Sequence, residues 1–209
     1  MTVGVAQVVI NAEDRDAVCR SYLTGGWKET FRARLPNHPA KVPFQAIKRT
    51  TLDMSHLTSA ARSSVEVTCY IDNPPAGATV YELDGAVVRL RACEPRASRA
   101  FWCALGFAHR GENILEARAI LPAWQLQVAL LPSSGDPPHT SVDADGCVLV
   151  TLLTTAIERE LDRLAGTDLL LRHTSAWEEQ VGGRGVTVAF VEGPSGELVE
   201  LLEISRGVR

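Results

Sequence analysis

VTVAFVEGPSGELVELLEI, residues Val186 to Ile204, reads as two strands joined by a tight turn. Val186, Val188 and Phe190 on one arm, and Leu198 to Ile204 on the other, are apolar and β-branched enough for strands, and Gly193-Pro194-Ser195-Gly196 forms the turn. Side chains alternate along a strand, so Leu198, Glu200, Leu202 and Ile204 share one face. A carboxylate therefore stands in an apolar row. Buried and unpaired it is costly, so Glu200 needs a cation, a hydrogen-bond donor or a water-filled cavity; the alternative is a solvated outer strand.

This strand pair closes the last of three similar stretches. Val8-Val9-Ile10 lies over Val88-Arg89-Leu90 at a shift of eighty, and the next twenty residues follow without a gap. Asp14 falls on Glu94, Tyr22 on Trp102, Gly26 on Gly106 and Trp27 on Phe107. A third copy starts at Cys147, with a strand over 148–153 and a helix over 155–165 whose Ile157, Leu161 and Leu164 form one apolar stripe. A shift of 140 sets Gln7 on Cys147 and Gly26 on Gly166.

Further strands are expected after each copy: 27–34, 44–52 and 64–71; then 107–111, 114–121 and 124–131; then 169–173, 186–191 and 198–204. The fold class is thus α+β, with three βαβββ modules forming curved mixed sheets around a cup and one helix on each outer face. Two Pro- and Gly-rich loops, 72–77 and 132–138, separate the modules. The expected organisation is a first module, 1–77, as an extra or half-domain, followed by one domain, 78–206, built from modules at 78–140 and 145–206. The competing arrangement pairs the first and third modules, which brings Glu66 and Glu200 into one cup. A homodimer would be another way to cover an open half-cup.

Composition narrows the function. With 209 residues, 45% hydrophobic and 22% charged, and a formal net charge of -4, nothing suggests nucleic acid or an anionic membrane. No signal peptide or membrane-spanning run is visible, and five scattered cysteines without a CxxC suit reduced thiols, so a cytoplasmic location is expected.

The βαβββ unit and the ending AFVEGPSGELVELLE, 189–203, resemble the vicinal oxygen chelate superfamily, which includes glyoxalase I, bleomycin-resistance proteins and extradiol dioxygenases. Val65-Glu66-Val67-Thr68-Cys69-Tyr70 is similar to the fourth strand of a glyoxalase I first module. The resemblance implies metal ligands, commonly His and Glu, from the first and fourth strands of paired modules. Those positions hold Gln7 and Glu66 in the first module, Val87 and Gln127 in the second, and Cys147 and Glu200 in the third. The implied set is Gln7, Glu66, Cys147 and Glu200, for a divalent zinc, nickel, manganese or iron ion. The histidines are absent from it, so a metal-free cup is the equal alternative.

Alternation assigns the faces independently. Val65, Val67, Cys69 and Ile71 are expected under the helix, leaving Ser64, Glu66, Thr68 and Tyr70 facing the cup; Ala6, Val8 and Ile10 face the helix, opposite Gln7 and Asn11. In the second module Trp124, Leu126, Val128 and Leu130 are core-facing, with Gln125, Gln127, Arg89 and Arg91 opposite as ligand-binding candidates. Trp177 is placed to close over an apolar ligand, beside a flexible Gly182-Gly183-Arg184-Gly185 hairpin, and His56 is the histidine nearest the first module's cup.

Two functions remain. One is a small-molecule enzyme, an isomerase, lyase or cyclase, in which Glu66 or Glu200 is a general base beside a substrate carbonyl. The other is a resistance protein of secondary metabolism that sequesters an aromatic or natural-product ligand.

Overall fold

A computed structural model of the chain describes residues 2–61, 63–117, 125–135, 139–169 and 172–204. Residues 2–70 run β1 (Thr2–Asn11), α1 (Arg15–Thr24), β2 (Lys28–Pro36), a 3-10 turn (Pro39–Phe44), β3 (Thr51–Thr58) and β4 (Ser64–Tyr70). Residues 81–132 run β5 (Tyr81–Asp84), β6 (Val87–Ala92), α2 (Pro95–Ala104), β7 (Phe107–His109), β8 (Ile114–Ala117) and β9 (Gln127–Pro132). Residues 146–204 run β10 (Gly146–Thr154), α3 (Ile157–Ala165), β11 (Arg172–His173), β12 (Trp177–Val181), β13 (Arg184–Glu192) and β14 (Leu198–Ile204). The chain is α+β with mixed sheets.

Local chemistry sets the helix starts. Asp14 caps α1 by accepting from Ala17 N at 2.8 Å. Proline opens α2, where its missing N–H costs nothing, and Phe101 and Trp102 on the same helix are buried. In α3 the buried side chains are Ile157, Glu160, Leu161 and Leu164.

The strand ladder shows which strands share a sheet. One sheet has the order β11-β13-β14-β10-β1-β4-β3-β2, with β12 on β13, and a second has the order β5-β6-β9-β8-β7. At the centre of the first, β1 pairs antiparallel with β10, and each is flanked by a parallel partner, β4 and β14. The first and third stretches therefore share one sheet across the expected boundary at 77, while 81–132 stands apart. The reason lies in β6. Its outer edge is already paired by β5 through a short hairpin, leaving β10 the free edge of the ten-residue β1. Both sheets still pack on one apolar cluster, which contains Val8, Leu57, Val88, Trp102, Leu152 and Leu201.

Two strand expectations also change. Residues 44–52 were expected as a strand, but β3 begins only at Thr51. Pro39 and Pro43 remove two backbone donors, and the amides of Ala46 and Ile47 bond to the Asp143 carboxylate instead of a neighbouring strand. Residues 177–181, where a loop was expected, form β12, closed onto β13 by Gly182 and Gly183 at φ +57° and +76°. Trp124, expected in the core, and the end of the expected 114–121 strand lie outside the described residues.

Candidate active site

Where β1 and β10 meet, their neighbours β4 and β14 carry Glu66 and Glu200 to one cavity. Gln7 Nε2 donates to Glu66 Oε2 at 2.6 Å, and Thr151 Oγ1 donates to Glu200 Oε2 at 2.6 Å. Gln7 and Thr151 face each other in the β1–β10 register. Each half of the sheet thus presents one carboxylate with one neutral donor.

The cavity holds about 310 Å³. Phe31, Leu35, Leu52 and Met54 wall it on one side, and Leu153, Val186, Val188 and Leu202 on the other. Glu66, Glu200 and Lys41 line both this space and a smaller annex of about 30 Å³ that reaches Tyr70. Glu179 and His56 also line the main cavity.

Lys41 belongs to the 3-10 turn, and its Nζ lies 3.6 Å from Glu179 Oε2, with both side chains largely buried (12% and 14% exposed). The turn is anchored on three sides. Phe44 is buried edge-on to Phe190, its carbonyl accepts from Val142 N at 2.9 Å, and Arg172 Nη1 donates to Pro43 O at 2.7 Å. Beyond it Asp143, fully buried, accepts from Ala46 N and from Arg49 Nε, and Arg49 donates onward to Asn73 O and Pro74 O.

Electrostatics separates the two carboxyls. Burial, then the Glu200 charge, pushes Glu66 up to about 8, against the pull of Lys41 and Gln7. Burial also raises Glu200, opposed by Lys41 and the Thr151 hydroxyl. Burial works against the Lys41 ammonium, but Glu179, with Tyr70, Glu200 and Glu66 behind it, holds its pKa above the usual lysine value. Burial lowers His56, which stacks on Phe31 with centroids 5.2 Å apart and shares a 2.6 Å hydrogen bond between Nδ1 and Thr30 Oγ1.

Of the residues singled out in the sequence, Gln7, Glu66 and Glu200 meet in this cavity and Tyr70 lines its annex. Cys147 does not reach it. The β1–β10 register passes from Val9–Leu149 to Ile10–Cys147, skipping Val148, and this extra residue turns Cys147 to the opposite face. There it is buried among Val8, Val65 and Tyr81, its thiol pushed up to about 12 by burial, and Thr151 takes the inward place. A similar irregularity between Val5 and Gln7 lets Ala6, expected under the helix, line the cavity beside Gln7.

Arg89, Arg91 and Gln127 belong to the second sheet and Gln125 lies just before its strand β9, all of them away from the cavity. Arg89 is exposed and pairs with Asp84 at 2.6 Å, and Arg91 donates to Thr79 O. Gln125 is exposed, and Gln127 is half-buried opposite Glu116 in the strand register. Trp177 stacks on His38 and packs edge-on to Phe190 outside the cavity, but its Nε1 donates to Glu179 Oε2 at 3.4 Å. Lys41 and Glu179 escaped the sequence reading because one lies in a loop between two prolines and the other on a short strand, between Glu178 and Gln180, that was not expected. Their only sequence signal is a charged residue within a hydrophobic neighbourhood, and that neighbourhood is tertiary.

No protein-family model matches the chain, and no curated protein matches it in sequence. Solved structures do match. A point variant of glyoxalase I from Zea mays aligns with a TM-score of 0.59 at 12% identity, covering 95% of this chain and 93% of that one. A putative dioxygenase from Bacillus subtilis aligns at a TM-score of 0.43 and 12% identity, over 99% of this chain and 64% of its own. The first of these shows the fold alone: the chain is folded like a glyoxalase I.

That fold type raises the question of a divalent metal between the strands. The residues present do not fit one. Cys147 points away, Thr151 offers only a hydroxyl already given to Glu200, and the Lys41 ammonium stands among the carboxylates. Among the described residues no three His, Cys, Asp or Glu side chains gather into a metal-binding group. No described helix is long and apolar enough to cross a membrane.

Proposed function

We propose that this chain is a small-molecule enzyme in which Glu66 and Glu200 move a proton on a carbonyl-bearing substrate held in the apolar cavity. The observation that carries the reading is two carboxyls raised by burial, each held by one neutral donor, at the floor of one apolar space. Paired carboxyls pushed unequally divide the labour between acid and base. Glu66, up at about 8, holds its proton at neutral pH; Glu200, raised by burial but opposed by Lys41 and Thr151, is assigned as the carboxylate, since its charge is among the causes that raise Glu66. Glu200 takes a proton from the carbon beside the carbonyl, and Glu66 gives its proton to the oxygen or carbon where charge develops. The substrate is isomerised with no net gain or loss of atoms; loss of a β-substituent or ring closure would start from the same enol.

We read the three stretches as copies of one βαβββ unit, the first and third enclosing the cup and the second set aside as an insertion. The apolar walls favour a second reading, in which the cavity sequesters a largely apolar ligand without converting it. Glu200→Gln separates the two. With the fold intact by circular dichroism, turnover is expected to fall by at least about 100-fold, as for loss of a general base. A sequestering protein would keep most of its affinity for its ligand.

A further inference from the structure

Two cationic side chains line the cavity: Arg184, an exposed residue at the start of β13, and Lys41, largely buried and delivered by an element outside the β1–β4 and β10–β14 pairs. We propose that the Lys41 ammonium is a built-in substitute for a divalent cation: it supplies the fixed positive charge facing Glu66, Glu200 and the bound ligand, and it keeps metal ions out.

Position is the first argument. Gln7, Glu66, Thr151 and Glu200 converge from four neighbouring central strands, an arrangement able to surround a cation from two sides. Lys41 lines the same cavity and the same annex as both carboxylates. Rigidity is the second. The turn that carries it is tied by Phe44, Pro43 and the buried Asp143–Arg49 pair, so the ammonium is delivered to one place and does not sweep through solvent. Burying an ammonium is costly unless carboxylates surround it. Glu179 on β12 is its direct partner at 3.6 Å, and the Glu200 carboxylate on β14 also acts on it. Tyr70 and His56 are neutral near pH 7, given that burial raises the one and lowers the other.

Charge is the third. Glu179 and Glu200 line the cavity with this ammonium, and Glu66, which holds its proton near pH 7, lies beside them. With the ammonium in place, a divalent ion would meet like charge in the same cavity and lose Glu179, which Lys41 already engages at 3.6 Å. In the proposed reaction the ammonium faces the oxyanion that develops as the proton leaves carbon, acting as electrophile without open coordination sites. The inference rests on the proposed reaction only for that last role; the exclusion of metal stands on the charges alone.

The test is metal content. Wild type, Lys41→Ala and the double variant Lys41→Ala with Thr151→His are incubated with zinc or manganese, dialysed and analysed for metal. The histidine places an imidazole beside Glu200, opposite Gln7 and Glu66. The wild type is expected to retain less than about 0.1 equivalent, and the double variant about one equivalent, lost again when Glu200→Gln is added. Stoichiometric uptake by the wild type, or no uptake by a folded double variant, overturns the proposal. If alanine at 41 prevents folding, Lys41→Gln with Thr151→His keeps the stem's volume and is read the same way. Metal content reports on Lys41 and turnover on the carboxylates, so either idea can fail without the other.

Discussion

Glu66 shows how a single side chain links stability to pH. Its carboxyl sits at about 8 in the folded chain against an ordinary 4.5, so the folded state holds a proton that the unfolded state releases. The sign follows directly. Its contribution is fully present below about pH 4.5 and is lost as pH rises through 8. Gln7, Lys41, Glu179 and Glu200 are the polar and charged groups acting on it, and His56 stands opposite on β3. Glu66→Gln is expected to flatten the fall in stability between pH 5 and 8 and to raise stability at pH 8 by about 2 kcal/mol, measured by urea unfolding across that range. Glu197, raised to about 7 by burial, has the same sign, so the slope is reduced and not abolished. An unchanged slope would mean that Glu66 is ionised in the folded chain. Cys147 gives a second check. Buried and held up at about 12, it should stay unmodified by a thiol reagent until the chain unfolds, read by mass spectrometry of labelled peptides.

Two connecting elements decide what the central strands enclose. The segment from Pro39 to Arg49 delivers Lys41, and its anchor is an ion pair with both side chains at 0% exposure. Removing one partner leaves the other charged and buried. Asp143→Ala is therefore expected to destabilise the chain by about 3–5 kcal/mol, and Asp143→Asn by less, since the amide oxygen still accepts from Ala46 N and Arg49. Thermal unfolding ranks the two, and equal losses would mean that the carboxylate charge alone, and not the hydrogen bonds it accepts, carries the anchor. The other element is the β12–β13 hairpin, which carries Glu179 and rests its tip by the Phe31 ring. Gly182 holds φ +57°, and a side chain there would lie 3.6 Å from that ring. There is room for a Cβ, so Gly182→Ala should cost only its backbone strain, about 1–2 kcal/mol in chemical denaturation. A larger loss would mean that the hairpin tip cannot accept added volume.

The whole molecule joins two sheets through one core. The apolar cluster takes Val8 and Leu57 from the larger sheet, Val88 and Leu130 from the smaller, and Trp102 from the helix between them. Neither sheet keeps a sealed face without the other. Tryptophan fluorescence, with Trp27 and Trp177 reporting one sheet's surroundings and Trp102 the other's, is expected to follow the same denaturant transition as far-ultraviolet circular dichroism. Separated transitions would mean that residues 81–132 fold as an independent unit. The ladder also shows why covering the second sheet's polar face is unnecessary for folding: Arg89 and Arg91 stay in solvent on that face, and Val88 and Leu90 bury on the other.

The sequence by itself determined the local periods. Alternation along 186–204 and 64–70 placed Glu200 and Glu66 on the faces opposite the helix-packed Val65, Val67 and Leu201, because a strand's period of two is a local property. The three helices follow from equally local signals: a cap at Asp14, a proline at 95, a stripe over 157–164. Tertiary structure alone decided which strands meet, because adjacency in a sheet depends on which edges remain free once hairpins have formed, and β5 had closed the edge of β6. It also decided Cys147. One skipped residue at Val148 inverts every side chain beyond it, and a bulge leaves no mark in apolar sequence. Lys41 was hidden for the same kind of reason: its charge matters only where a proline-bounded turn, held by Asp143 a hundred residues away, lowers it among three carboxyls.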